Sequence, residues 1–210
     1  KILMTSFKEV YLWKADSALE VIATQKSKLF GSYLEEINEL EKLIGKAQEF
    51  QRKFIKGLSI LEGEQILLPG GELSDIPLSV YSVDEDDIEF KDNYGKTYKI
   101  PQLPIIQQRY LYEFMYPNSE KDELYATYAL CALQFTEAVE NGADETMSAI
   151  VFDHYVHNRY NLINNYLKSK LTSRARESGL KILQLAKLFP NKIKMIEQKL
   201  DRTLGEGWSY

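Results

Sequence analysis

The chain has 210 residues and a formal net charge of −5; 44% of its residues are hydrophobic and 27% charged, which is the ordinary globular balance. Its single cysteine, Cys131, excludes an intrachain disulfide, and two histidines exclude a Cys/His zinc cluster. The longest apolar run, Leu124 to Leu133, is far short of the ~20 residues that span a bilayer. Near the start, Lys8 and Glu9 follow Ile2, Leu3 and Met4 too soon for a signal-peptide core, so a cytoplasmic location is the default expectation.

The strongest periodic signal comes first. Phe30, Tyr33, Ile37, Leu40, Ile44, Ala47, Gln51, Phe54, Leu58 and Leu61 recur at heptad spacing, and every one but Gln51 is apolar or aromatic. No proline occurs before Pro69. The pattern predicts one long, coiled-coil-like helix from about Asp16 to about Leu61. Leu29, Leu43 and Phe50 flank the seam on one side, and Leu34 and Ile55 on the other. A two-stranded coiled coil prefers charges there, so the wide stripe points to a helix packed against several neighbours. Gly31 and Gly45 fall on the polar face, without a sequence-level reason.

Residues 62–104 change character. Pro69, Pro77, Pro101 and Pro104 lie here, and Pro69-Gly70-Gly71 is a turn signal. Gln65–Leu68 and Leu78–Val83 read as short strands. Ile88–Lys91 and Lys96–Ile100 alternate around Asp92-Asn93-Tyr94-Gly95 as a hairpin. From Ile105 the helical period returns. A tyrosine-rich segment ends at Pro117, and Asn118-Ser119 with Asp122 offers an N-cap for a helix reaching Glu140, where Asn141-Gly142 stops it. Asp144 can cap a helix over 145–171 with a stripe of Ala149, Phe152, Val156, Tyr160, Ile163, Leu167 and Leu171. Helices over 176–189 and about 191–204 follow, broken at Pro190.

These elements predict a mainly α fold: an elongated helical bundle around one long heptad-patterned helix, with a small inserted β subdomain. The expected divisions are 1–61, the N-terminal segment and long helix; 62–104, the β insertion; and 105–210, a helical region packing on the long helix.

Sites of chemistry are sparse. Asp153 and His157 lie one helical turn apart beside His154, but the spacing matches neither HExxH nor a pair of Glu-x-x-His sites. The two histidines share a face with Asn158, Asn161, Asn165 and Lys168, which reads as a polar face. Asp84-Glu85-Asp86-Asp87 lacks the glycine of a calcium loop. No Gly-x-Ser-x-Gly is present, and Pro69-Gly70-Gly71-Glu72 lacks the lysine of a phosphate loop. Cys131 sits in a run of small apolar residues, as a core thiol does. No catalytic, cofactor or metal residues are assigned, and a non-enzymatic chain is expected.

Charge is uneven. Residues 155–210 carry a net +7 and residues 1–154 a net −12. An internal electrostatic match is the first reading of this asymmetry. The second is a surface for nucleic acid or an acidic partner, made by Lys168, Lys170, Arg174, Arg176, Lys192, Lys194, Lys199 and Arg202. The leading functional expectation is a protein-protein interaction or assembly scaffold, self-association included. A nucleic-acid-binding protein using the basic C-terminal helices is the alternative.

Overall fold

The structure, a computed structural model, describes residues 2–28, 31–69, 76–84, 87–117, 122–205 and 207–208, apart from the side chains of Ser32 and Tyr33. The fold is mainly α with one small antiparallel sheet. The chain divides into two compact units, Lys1–Gln134 and Phe135–Tyr210. The sheet and the first five helices belong to the first unit.

The first unit opens with α1 (Ile2–Tyr11) and α2 (Ala15–Lys26), which pack against each other. Between them Trp13 takes φ +62°, and Lys14 N–H reaches Glu9 O at 2.8 Å while Trp13 N–H reaches Val10 O at 3.0 Å. That is a Schellman stop with tryptophan in the place glycine usually fills. The buried Trp13 ring holds it there, 4.9 Å from Phe54 and 5.5 Å from Tyr128.

The helix expected over 16–61 is two helices. The second, α3 (Ser32–Ile60), is about 43 Å long at 1.5 Å per residue. Gly31 precedes it at φ +65°, a left-handed conformation that reverses the chain and favours glycine. This is the reason for Gly31 that the sequence did not supply. Nothing in the structure explains Gly45, whose Cβ would meet open space. The reversal lays α2 antiparallel along α3, with Arg52 on Asp16 at 3.3 Å and Lys26 on Glu41 at 2.6 Å. The heptad stripe belongs to α3 alone; α2 buries Ala15, Ala18 and Ile22, which are out of phase with it.

Along α3, Ile37, Leu40, Ile44, Ala47, Phe54 and Leu58 are buried, as are Leu43 and Phe50 beside them. Leu34, Ile55 and Leu61 are half-buried. Phe30, Leu29 and the Tyr33 side chain lie outside the described residues. The stripe meets α2, α4 (Ile105–Met115) and α5 (Glu123–Cys131), so its width reflects several neighbours. Phe50 stacks on Tyr128 at 4.7 Å and lies 5.0 Å from Tyr112. Burying such a ring contributes roughly 2–3 kcal/mol. Gln51 is the polar exception in the seam, and it is fully used: its Oε1 accepts from Ala15 N–H at 3.3 Å and its Nε2 donates to Val10 O at 2.9 Å. It thus satisfies the Ala15 N–H where α2 begins and adds a second donor to Val10 O where α1 ends. A Cβ on Gly57 would sit 2.6 Å from Met115 Sδ and 3.0 Å from the Tyr116 hydroxyl, so those side chains would have to shift.

The sheet is a meander of β1 (Gln65–Leu67), β2 (Pro77–Val83), β3 (Ile88–Asp92) and β4 (Thr97–Lys99), every neighbour antiparallel. Ile66, Leu78, Val80, Ile88 and Phe90 form its buried face. Val80 pairs with Phe90 and Ser82 with Glu89, so Tyr81 is the bulged extra residue and is exposed. In the β3–β4 turn, Asp92 accepts from Tyr94 N–H and Lys96 N–H, both at 2.9 Å, and from Tyr98 Oη at 3.0 Å. Gly70, Gly71 and Glu72 lie outside the described residues, as do Glu85 and Asp86. A 3-10 turn at Ile100–Gln102 leads into α4.

Asn118 and Ser119 also lie outside the description. Asp122 is itself the N-cap of α5, accepting from Leu124 N–H at 2.9 Å. The helix expected to reach Glu140 stops at Cys131, because Leu133 adopts φ +59° in another Schellman turn. Phe135–Glu140 then forms α6.

The second unit contains α6, α7 (Glu145–Lys168), α8 (Thr172–Ala186) and α9 (Pro190–Leu204). Asp144 caps α7 by accepting from Met147 N–H at 2.8 Å, and Pro190 sits at the start of α9, where a missing N–H costs nothing. Successive helices pack in an up-down-up order around Phe135, Phe152, Tyr155 and Phe189, with Phe152 stacked on Phe189 at 4.4 Å. Of the expected α7 stripe, Phe152, Val156, Tyr160 and Ile163 are buried. Ala149 and Leu167 are half-buried, and Leu171 is exposed beyond the helix end.

Candidate functional site

The eight basic residues of the second unit are placed as follows. Lys168 ends α7, Lys170 follows it at φ +59°, Arg174 and Arg176 lie on α8, and Lys192, Lys194, Lys199 and Arg202 lie on α9. Seven are exposed and Lys192 is half-buried. Lys192 Nζ contacts Asp153 Oδ2 at 2.5 Å, and Lys199 Nζ sits 4.3 Å from the Tyr160 ring. Both cations are therefore drawn onto α7. Lys168, Lys170, Arg176, Lys194 and Arg202 have no ion-pair partner among the described residues.

Helical phase at 3.6 residues per turn separates the set. Lys192, Lys199 and Arg202 share one flank of α9 with exposed Met195, whereas Lys194 lies on the other side with Glu197 and Asp201. Arg174 and Arg176 stand on opposite flanks of the buried stripe of α8. The structure does not gather the eight onto one face.

The histidine motif forms no coordination set. Asp153, His154 and His157 are exposed, and Asp153 is engaged by Lys192. Among the described residues no group of three or more His, Cys, Asp or Glu side chains could hold a metal. In the acidic run, Asp87 pairs with Lys99 at 2.7 Å. Cys131 is fully buried, and burial pushes its thiol pKa up, which keeps the reactive thiolate scarce. No helix among the described residues is long and apolar enough to cross a membrane.

Two further features belong to the first unit. A cleft of about 560 Å³ is lined by Leu12, Trp13, Lys14, Ser17, Asp87, Ile88, Lys99, Ile100 and Pro101. Its charges are largely matched within its own rim, since Lys99 holds Asp87. The second feature is a polar cluster where α3, α4 and α5 meet. Asp122 Oδ2 accepts from Lys53 Nζ at 2.9 Å and from Tyr112 Oη. Lys53 also lies 4.9 Å from the Tyr116 ring, whose hydroxyl donates to Lys53 O at 2.8 Å. Burial pushes the Asp122 carboxyl up, but hydrogen bonds from Tyr112, Lys53 and Leu124 N–H outweigh it, leaving the pKa below its ordinary value. Burial lowers the Lys53 pKa, but its bonds to Tyr112 and Asp122 raise it further than that. Burial and the Asp122 bond push Tyr112 up to about 12. At neutral pH the cluster is thus a fixed ion pair and a neutral phenol. Since Asp122 also caps α5, the cluster ties α3, α4 and α5 together.

The feature that stands apart is α4 itself. It buries two glutamines and exposes a row of large apolar side chains. Gln107 and Gln108 are buried beside Leu111 and Tyr112. Gln108 Nε2 donates to Ile100 O at 3.2 Å and to Leu103 O at 2.8 Å, and its Oε1 accepts from Tyr128 Oη at 2.8 Å. It closes the 3-10 turn and pins α5. Ile106, Tyr110 and Phe114, spaced i, i+4, i+8, run from the outer face toward the Gln107 flank and are 46%, 38% and 55% exposed. They form one continuous ridge. Arg109 and Glu113 line one side of it, joined at 2.7 Å.

The sequence reading missed this ridge because it took the segment ending at Pro117 only as rich in tyrosine, a residue type this chain mostly buries. Tyr112, Tyr125, Tyr128, Tyr155 and Tyr160 are buried. The available signal was that residues 105–116 are apolar or aromatic around most of the helix, as in a helix that meets neighbours on two sides.

No family profile matches the chain, and neither does any curated protein or any solved structure.

Proposed function

We propose that this chain is a non-enzymatic protein-interaction module that uses the outer face of α4 as its contact surface. The observation that carries the reading is the distribution of side chains on α4, with Gln107 and the hydrogen-bonded Gln108 inside and Ile106, Tyr110 and Phe114 exposed. Single exposed apolar residues are common on protein surfaces, but a contiguous row on one helix face is the pattern of a docking surface. Aromatic residues with a polar tip are enriched at such contacts. The ridge stands on a helix whose other face is locked to the core by Gln108 and Leu111, so it is rigid before any partner arrives, which lowers the entropy cost of binding.

The test is site-specific photo-crosslinking in the native source, with the photoreactive group at Phe114 and a control at exposed Lys42. Discrete adducts at Phe114 and none at Lys42 are expected. Equal labelling at both positions would overturn the reading.

The exposed cations of the second unit favour a second reading, nucleic-acid binding, whose signature is affinity that falls steeply with salt. Their spread over opposite helix flanks argues against it. No binding above the non-specific level at physiological salt is expected.

A further inference from the structure

We infer that the outer side of the α7–α9 pair, in the second unit, is a docking face for an acidic, partly aliphatic protein segment. The inference is independent of the reading of α4, which belongs to the first unit. It starts from the register of the two helices. Lys192 contacts Asp153 at 2.5 Å, and Lys199 lies 4.3 Å from the Tyr160 ring. The second pair is seven residues beyond the first on both helices, so α7 and α9 run parallel. Tyr160 Oη, donating to Ile196 O at 3.1 Å, fixes that alignment.

Parallel alignment turns separate cations into a row. On α9, Lys192, Lys199 and Arg202 share one flank, while the acids Glu197 and Asp201 lie on the other. On α7, Asp153, His157, Asn164 and Lys168 recur at i, i+4, i+11 and i+15, which keeps them on the flank that borders α9. At 1.5 Å per residue, Lys199, Arg202 and Lys168 stand about 10, 15 and 22 Å from Lys192 along the common axis. Asp153 is taken by Lys192, and residues 154–168 contain no Asp or Glu. Lys199, Arg202 and Lys168 are exposed and form no ion pair among the described residues. Such a row is complementary to a partner carrying carboxylates at similar intervals.

One apolar side chain separates an acidic protein from nucleic acid. Met195, 58% exposed, shares the flank of Lys192 and Lys199 and lies between them along the helix. Its thioether packs on aliphatic side chains, which a peptide supplies and a sugar–phosphate backbone does not. Single-stranded nucleic acid also calls for exposed aromatic platforms, whereas the ring on this side, Tyr160, is buried beneath Lys199.

The test is fluorescence anisotropy of labelled probes with the full chain at low salt. The probes are a peptide alternating Glu and Leu, polyglutamate of equal charge, and single- and double-stranded DNA. The Glu–Leu peptide is expected to bind, more tightly than polyglutamate, and to weaken as salt rises. Lys199→Glu with Arg202→Glu is expected to weaken it at least about tenfold. Lys194→Glu with Arg176→Glu makes the same change in net charge off the row, and is expected to weaken it less than about twofold. Met195→Ser is expected to weaken the Glu–Leu peptide about threefold and leave polyglutamate unchanged.

Circular dichroism confirms that each variant is folded. Lys199→Gln with Arg202→Gln, which removes the charges without adding acids, keeps the test open if the reversed chain fails to fold. Equal losses in the two charge-reversed pairs would show attraction to overall charge and overturn the face. A parent chain that does not bind the Glu–Leu peptide overturns it too. DNA binding tighter than peptide binding, and indifferent to Met195→Ser, would overturn the acidic segment as the partner.

Discussion

Helices α3 and α4 lie in the same unit and solve opposite problems. Along α3 most apolar residues face inward, Lys42, Lys46 and Arg52 face out, and Gln51, the single buried polar side chain among the described ones, is occupied by two backbone groups. Along α4 two buried glutamines share the inner face with Leu111 and Tyr112, and the largest exposed apolar groups stand outside. Burial stabilises both, but on α4 part of the work is done by hydrogen bonds of Gln108 rather than by area alone. The contrast shows that a helix can be held to a core by a polar clamp while its apolar side is left for something else.

The comparison breaks most visibly on α3. Ile44 is fully buried, so Ile44→Asp should cost about 4 kcal/mol or more, enough to unfold a domain of ordinary stability. Lys42→Asp, on the exposed face, should change stability by no more than about 0.5 kcal/mol. Urea unfolding of both variants checks the helix phase, and equal losses would show it to be wrong.

On α4 the clamp is the point to attack. Gln108→Leu keeps the volume but strands the Tyr128 hydroxyl and the Leu103 carbonyl, and leaves Ile100 O with Leu103 N–H as its remaining donor. A loss of about 2–3 kcal/mol is expected.

A subtler effect concerns the junction that α3 and α4 share. The Asp122 pKa is depressed in the folded state, so the carboxylate contributes stability that is complete above its unfolded value of about 3.9. That contribution is lost as pH falls from there through the folded value. Asp122→Asn should flatten the acid limb of the stability profile below about pH 4 while leaving its shape near neutrality unchanged. An unaltered acid limb would show that the Lys53–Asp122–Tyr112 bonds do not persist in solution.

Much of this architecture was legible from residue order. The core face of α3, the β3–β4 hairpin around Gly95 and the Asp144 cap of α7 all follow from local chemistry that the sequence displays directly. The interruptions did not. Trp13, Leu133 and Lys170 adopt left-handed conformations that glycine or asparagine would have announced, and tertiary packing rather than turn chemistry holds Trp13 there. The break before Gly31 was hidden because no proline or turn cluster marks it and the heptad stripe begins only there; α2 buries Ala15, Ala18 and Ile22, which are out of phase with that stripe. For the site, the basic residues were visible as charge, but their separation onto opposite flanks depends on where α8 and α9 begin and which side they bury. The α4 ridge was obscured for a related reason. A helix apolar nearly all round does not say which face goes inside, and here the decision rests on Gln108 finding three partners.

Equilibrium unfolding of the chain with Ile106→Ser, Tyr110→Ser and Phe114→Ser combined, set beside Gln108→Leu at low micromolar concentration, tests the distribution of side chains on α4 most directly. Serine matches isoleucine, tyrosine and phenylalanine in helix propensity to within a few tenths of a kcal/mol, so the comparison isolates packing. The triple variant is expected to stay within about 1 kcal/mol of the parent, while Gln108→Leu falls by about 2–3 kcal/mol. A triple variant that loses as much as Gln108→Leu, or more, would show that the ridge is part of the packed core and that α4 presents no contact face.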